Sequence, residues 1–268
     1  MELRDKIAVV TGGASGIGKA IAERFAAEGA RHVVVTDMDG EGAAAVAAGI
    51  GDQASSAALD VADEDAIKAL VENTETDIGP IDVFVSNAGY GKGGGLELPN
   101  EEWQRMMDVH FMAHLYAARA VVPSMVAKGE GYIVNTASAA GLLTQMDSGP
   151  YAVTKHAAVA FAEWLSINYG DRGVRVSVVA PQAVRTNILS NAGRPVAKVS
   201  RGASQASQDG ILEPEELADT VIEAMRDERF LILPHPEVLT YFQRKSNDYD
   251  RWLNGMRRFR RRLIDKES

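Results

Sequence analysis

A doubly wound α/β fold, one parallel sheet with helices on both faces, is predicted by three observations. Short, strongly apolar runs alternate with longer helical patterns over the first 233 residues. The strand-like runs are apolar throughout rather than alternating, so both of their faces must be covered. A glycine-rich turn, Thr11-Gly12-Gly13-Ala14-Ser15-Gly16-Ile17-Gly18, joins the first strand to the first helix.

The elements follow in order. Strands are expected at 6–11, 32–37, 55–60, 81–86, 131–137, 174–180 and 230–233, making seven. Helices are expected near 16–28, 40–49, 63–77, 100–128, 151–169 and 214–227. Asn100, followed by Glu101 and Glu102, suits a helix N-cap, and Pro214 with Glu215 and Glu216 suits a helix start. The glycine-rich run 90–95 should be mobile, and the polar segment of about 187–212 reads as a substrate lid. Residues 1–233 form one expected domain, with 234–268 as a C-terminal helical extension.

Composition narrows the function. With 268 residues and 46% hydrophobic content the chain can bury a large core. It has no cysteine, which excludes disulfides, thiolate nucleophiles and cysteine zinc sites. The N-terminus lacks a signal-peptide pattern, and no apolar run approaches the roughly 18 residues of a membrane span. A cytoplasmic protein is expected, without membrane or nucleic-acid partners. The net charge of −9 is uneven: residues 244–268 carry nine Lys/Arg and four Asp/Glu, so the tail is +5 and the remainder −14. In that tail Trp252, Met256, Phe259 and Leu263 recur at helical spacing among Arg257, Arg258, Arg260, Arg261 and Arg262. The stripe is expected to pack on its own core or on a neighbouring subunit, ahead of an anionic membrane surface or a nucleic acid.

The chemistry-bearing residues follow the glycine turn. A strand, a glycine turn and a helix N-terminus together cradle a dinucleotide pyrophosphate, through backbone N–H groups and the helix dipole. Tyr151 and Lys155 stand at i and i+4, stacked on one helix face. Ser138 lies 13 residues before Tyr151, at the end of the fifth strand.

On these motifs the chain resembles the short-chain dehydrogenase/reductase family across residues 5–233. The matching residues, in the family's order, are Thr11, Gly12, Gly16 and Gly18, then Asp60, Asn87-Ala88-Gly89, Ser138, Tyr151 with Lys155, and Pro181 with Thr186. The resemblance implies a Rossmann fold and hydride transfer between a nicotinamide and an alcohol/ketone pair. Tyr151 would be the acid/base, Lys155 would lower the phenol pKa and bind the nicotinamide ribose, and Ser138 would hold the substrate oxygen. Gly12, Ser15, Gly16, Ile17 and Gly18 would bind the cofactor phosphates. Asp60 and Val61 would contact adenine, Asn87, Ala88 and Gly89 would support the cofactor floor, and Pro181, Val184 and Thr186 would meet the carboxamide. Asp37 ends the second strand, where a carboxylate accepts ribose hydroxyls and repels a 2′-phosphate. Its neighbour Met38 and the loop residue Ser15 carry no charge, so NAD is expected over NADP.

Two residues depart from the family pattern. His110 stands where the family has an asparagine, whose implied role is to hold a water of a proton relay through the lysine. A neutral imidazole can donate and accept, so His110 is either a relay member or a structural histidine. His110 and His114 have His-x-x-x-His spacing but Phe111 replaces the glutamate of a zinc protease, and no metal is expected. Gln182 follows Pro181 where glycine is usual, and either touches substrate or points to solvent. Candidate substrate residues, from position alone, are Leu142, Gln145, Ser148, Gln182, Ile188 and Leu189. The expected function is an NAD-dependent dehydrogenase acting on a medium-sized, apolar secondary alcohol or ketone, assembled as a homo-oligomer with a tetramer favoured over a dimer. An NAD-binding regulatory protein on this fold and an NADPH-dependent reductase stand as alternatives.

Overall fold

The computed structural model describes residues 1–186 and 205–265. Its strands are β1 (Ile7–Thr11), β2 (His32–Asp37), β3 (Ala54–Ala58), β4 (Val83–Ser86), β5 (Gly131–Thr136), β6 (Val174–Val179) and β7 (Leu231–Ile232). They form one wholly parallel sheet in the order β3-β2-β1-β4-β5-β6-β7. The order reverses between β1 and β4, which opens a crevice beyond the carboxyl ends of those strands. Helices α1 (Gly16–Ala27), α2 (Gly40–Ile50) and α3 (Glu64–Asp77) precede β4. Then come α4 (Asn100–Met107), α5 (Ala113–Lys128), α6 (Ala140–Leu143) and α7 (Gly149–Tyr169). After the sixth strand lie α8 (Pro214–Arg226), α9 (Glu237–Asn247) and α10 (Tyr249–Asp265).

The sheet separates two apolar clusters. One joins Val10, Val85 and Val134 to Ile21, Phe25, Val46 and Leu217 of α1, α2 and α8. The other joins Val9, Phe84 and Ile133 to Ile67, Val121, Val122 and Leu165 of α3, α5 and α7. β1, β4 and β5 are buried at every position, which is why their sequences read as continuous apolar runs. The register sets Val35, Val10 and Val85 in one fully buried row across β2, β1 and β4, held by parallel hydrogen bonds as well as by packing.

Several sequence expectations are corrected. The helix expected at 100–128 is interrupted by a π-turn, Asp108–Met112. Pro99 is its N-cap rather than Asn100, which takes the first helical position. The final strand is only two residues long. The run 90–95 is pinned rather than loose: Gly94 N donates to Asp147 O at 2.9 Å and Gly149 N donates to Gly94 O at 2.9 Å. Pro214 does begin a helix, closed by a reciprocal Glu213/Glu216 capping box. The extension is not appended to a finished core. Val238 is fully buried in the second cluster and Trp252 packs against it. The expected stripe of Trp252, Met256, Phe259 and Leu263 is half-buried on the molecule's own surface. Among the described residues, no helix is long and apolar enough to cross a membrane.

Candidate active site

The carboxyl ends of β1, β4 and β5 place the three motif groups in one crevice. At the end of β1, Thr11 ties the glycine turn to the next strand. Its Oγ1 accepts from Asn87 N at 2.9 Å and Ala88 N at 3.1 Å and donates to Val85 O. Asn87 Nδ2 donates back to Thr11 O at 3.0 Å. The asparagine side chain therefore holds the turn while the loop Asn87-Ala88-Gly89 passes over β1. Gly18 has no alternative: an added Cβ would stand 2.1 Å from Gly12 O. Thr186 closes the turn from the far side, with its Cγ2 2.9 Å from where a Gly16 Cβ would be.

This turn fits a dinucleotide. Ser15 caps α1 without using its side chain, so the first N–H groups of the helix have no side-chain partner. They border an open cleft of about 390 Å³ lined by Ser15, Gly16, Lys19, Ala20, Arg185 and Thr186. Val184 is buried and bridges to Leu212, which sets Thr186 beside that cleft. At the rim, Asp37 accepts from Ala14 N at 3.1 Å and Asp39 N at 3.0 Å. Met38 beside it is exposed. Asp60 accepts from Ala62 N at 3.0 Å and from Arg105 Nη2 at 3.0 and 3.1 Å. Val61 is buried beneath. Arg105, which no motif singles out, also stands 3.7 Å from Met38 Sδ.

Ser138, Tyr151 and Lys155 come together on α7 and the chain leaving β5. Lys155 is buried, and its Nζ donates to Thr136 O at 2.9 Å and lies 5.7 Å from the Tyr151 ring centre. Burial, with no carboxylate to offset it, lowers its pKa from 10.5 to about 8. Against the expectation that Lys155 lowers it, burial pushes the Tyr151 phenol up, and only the Ser138 hydroxyl beside it pulls the other way. Ser138 is itself held: its Oγ accepts from Ala140 N at 3.1 Å and faces Pro181 O at 3.4 Å.

His110 is fully buried in the π-turn, edge-on to Tyr151 at 5.5 Å. Its Nε2 accepts from Tyr90 N at 3.1 Å, which leaves the proton on Nδ1. Nδ1 then donates to Thr154 Oγ1 at 3.1 Å, and the Thr154 hydroxyl donates to the backbone carbonyl of Tyr151 at 3.1 Å. Burial, then the Lys155 ammonium and His114, hold His110 well below its usual pKa. His114 lies deeper, beside Asn135, and burial takes its pKa from 6.5 to about 3. No group of three or more metal-binding side chains occurs among the described residues.

The substrate candidates are divided. Leu142 is buried in the core, Gln145 is half-buried, and Ser148 Oγ donates to Lys92 O at 2.6 Å. Gln182 Nε2 donates to Asp209 Oδ2 at 2.7 Å and its backbone N donates to His235 Nδ1 at 3.2 Å. Ile188, Leu189 and most of the expected lid lie outside the described residues.

Fold and site define a nicotinamide-linked oxidoreductase. The chain belongs to the short-chain dehydrogenase family, whose model matches residues 6–196. It is 34% identical over 244 residues to a 1-deoxy-11-beta-hydroxypentalenate dehydrogenase of Streptomyces exfoliatus, covering 88% of this chain and 86% of that one. A short-chain dehydrogenase/reductase from Burkholderia phymatum, solved with NAD, superposes with a TM-score of 0.83 at 31% identity, over 93% of this chain and 96% of that one. A Beutenbergia cavernae protein described as NAD(P)-dependent, with NADP bound at low occupancy, gives 0.79 at 27% identity, over 89% and 98%.

Proposed function

We propose that this oxidoreductase interconverts a secondary alcohol and a ketone with NAD(H), using Tyr151 as the acid/base. The observation that carries the proposal is the convergence of Ser138, Tyr151 and Lys155 at one crevice with the glycine turn. The nicotinamide, when bound, supplies the hydride chemistry. Gly12, Ser15, Gly16, Ile17 and Gly18 would hold its phosphates, with Asn87, Ala88 and Gly89 behind them and Pro181, Val184 and Thr186 at the carboxamide end. A phenol keeps its proton at neutral pH, burial raises the Tyr151 pKa further, and Oη donates that proton to the ketone oxygen in reduction. In oxidation the same oxygen takes the alcohol proton, which requires positive charge nearby, and Lys155 is the cation in reach. Ser138 Oγ, fixed by Ala140 N, stabilises the alkoxide-like oxygen.

NAD is favoured over NADP because Asp37 presents a carboxylate at the rim and Met38 brings no cation. Arg105 approaches the same corner, but Asp60 already engages it. The exposed Trp164 and Ile167 on α7, continuous with the Phe111–Phe161 ring pair, support a homo-oligomer, with a tetramer as the expected form. The test follows NADH absorbance across a panel of secondary alcohols and ketones with wild type and Tyr151→Phe. Wild type turns over at least one member, and Tyr151→Phe loses about 10²–10⁴-fold in kcat while still binding NADH. Near-full activity of Tyr151→Phe sinks the acid/base role, and tighter binding of NADPH than NADH sinks the Asp37 argument.

A further inference from the structure

We propose that the α9–α10 hairpin is a fixed wall of the substrate site, and that Lys245 is the positioning residue that holds it there. The proposal rests on the reading of Ser138 and Tyr151 as the catalytic pair. A substrate oxygen held by both hydroxyls must lie against residues 139–150, the chain that joins them. That segment is strained. Thr144 and Asp147 both adopt left-handed backbone conformations, φ +69° and +53°, which residues other than glycine seldom take. Such conformations persist only where the surroundings enforce them.

Two of the contacts that hold it come from the C-terminal extension, beside those from Gly94 and Lys92. Lys245 of α9 is buried, and its Nζ donates to Leu142 O at 2.6 Å, near the carboxyl end of α6. The Tyr249 ring lies 5.4 Å from the same ammonium. Among the described residues no carboxylate pairs with Lys245. A buried ammonium without a counter-charge is costly, and the free carbonyls at a helix end only partly offset that. A neutral side chain would fill this place without the cost, so what Lys245 contributes is the fixed carbonyl. One loop further on, Arg260 Nε of α10 pairs with Asp147 Oδ1 at 2.9 Å. Gln205 completes the clasp: its Oε1 accepts from Met146 N at 2.9 Å and its Nε2 donates to Thr144 O at 3.1 Å.

The hairpin grips the other flank as well. Tyr241 Oη of α9 donates to Asp209 Oδ1 at 2.9 Å, and Gln182 Nε2 donates to the other oxygen of that carboxylate at 2.7 Å. Gln182 follows Pro181, whose carbonyl faces Ser138 Oγ. The extension thus fixes both the segment between Ser138 and Tyr151 and the turn beside Ser138. Leu142, Gln145, Ser148 and Gln182, the substrate candidates within the described residues, all lie on these two segments.

The experiment compares wild type, Lys245→Met, Lys245→Arg and Arg260→Gln as full-length proteins. For the best alcohol or ketone of the panel, Lys245→Met is expected to raise KM about tenfold with kcat within threefold and the Kd for NADH unchanged, with Lys245→Arg recovering most of the loss. Amide hydrogen exchange over 142–148 is expected to quicken in Lys245→Met and Arg260→Gln. An unchanged KM, unchanged exchange, or a parallel loss of NADH binding overturns the proposal. Arg260→Gln alters an exposed pair, so it decides the matter if Lys245→Met fails to fold. If wild type turns over no alcohol or ketone, the catalytic reading falls, while slow exchange over 142–148 in the variants still overturns the positioning role by itself.

Discussion

His110 illustrates how a single substitution in a motif acquires a definite role from its surroundings. The imidazole stands between a titratable relay member and a structural residue when only its chemistry is considered. In place, both nitrogens are spent: Nε2 accepts from the backbone of Tyr90, and Nδ1–H donates to Thr154. Burial and the neighbouring ammonium keep the ring neutral, so it has no proton to exchange in the working range. What it does is tie the chain beyond β4 to α7, one turn from Tyr151. Removing the ring would leave a half-buried Tyr90 N–H and the buried Thr154 hydroxyl short of a partner, at about 1–3 kcal/mol. His110→Ala is therefore expected to lower kcat/KM without changing the shape of its pH profile between pH 5.5 and 8. A lost or displaced limb in that profile would instead make His110 a titrating relay member.

At the scale of elements, β1, β4 and β5 were legible because a parallel strand buried on both faces leaves an apolar run in the chain. The glycine turn and the Tyr151/Lys155 pair were legible because their spacing is local. Three pieces were not. The π-turn at 108–112 adds one residue to a helical turn, and a 3.6-residue period cannot register that. Helix α6 spans four residues and exists because Gly141 lets it press on α7, where an added Cβ would meet Lys155 O at 2.5 Å. Lys245 looked like any solvated lysine, since its carbonyl partner lies 103 residues away in the chain. Helix α7 also leaves an outward face that its own molecule does not cover: Ile167 is 80% exposed and Trp164 49%. Ile167→Arg is expected to shift the protein from oligomer to smaller species in analytical ultracentrifugation at micromolar concentration. An unchanged sedimentation coefficient would move the interface to another face.

For the molecule as a whole, the site's buried ionisable groups set how stability depends on pH. His110 and His114 are neutral in the native state, and His114 stays so down to about pH 3. Unfolded histidine takes up its proton near pH 6.5. The unfolded chain therefore binds more protons as the pH falls from 6.5 towards 3, and stability is lost across that window. Lys155 acts in the same direction on the alkaline side. Its native pKa of about 8 lies below the unfolded value of 10.5, so the ammonium destabilises the fold most below pH 8. That cost fades as the pH rises through the window from 8 to 10.5, and the difference of the two values corresponds to a total on the order of 3 kcal/mol. Lys155→Met removes the charge and keeps the stem. In urea unfolding it is expected to gain stability over wild type at pH 7, with the gain shrinking steadily towards pH 9.5, below the range where the tyrosines titrate. A gain that stays constant from pH 7 to 9.5 would mean that Lys155 is not the buried cation described here. The comparison also measures how much stability the fold gives up to keep an ammonium beside Tyr151.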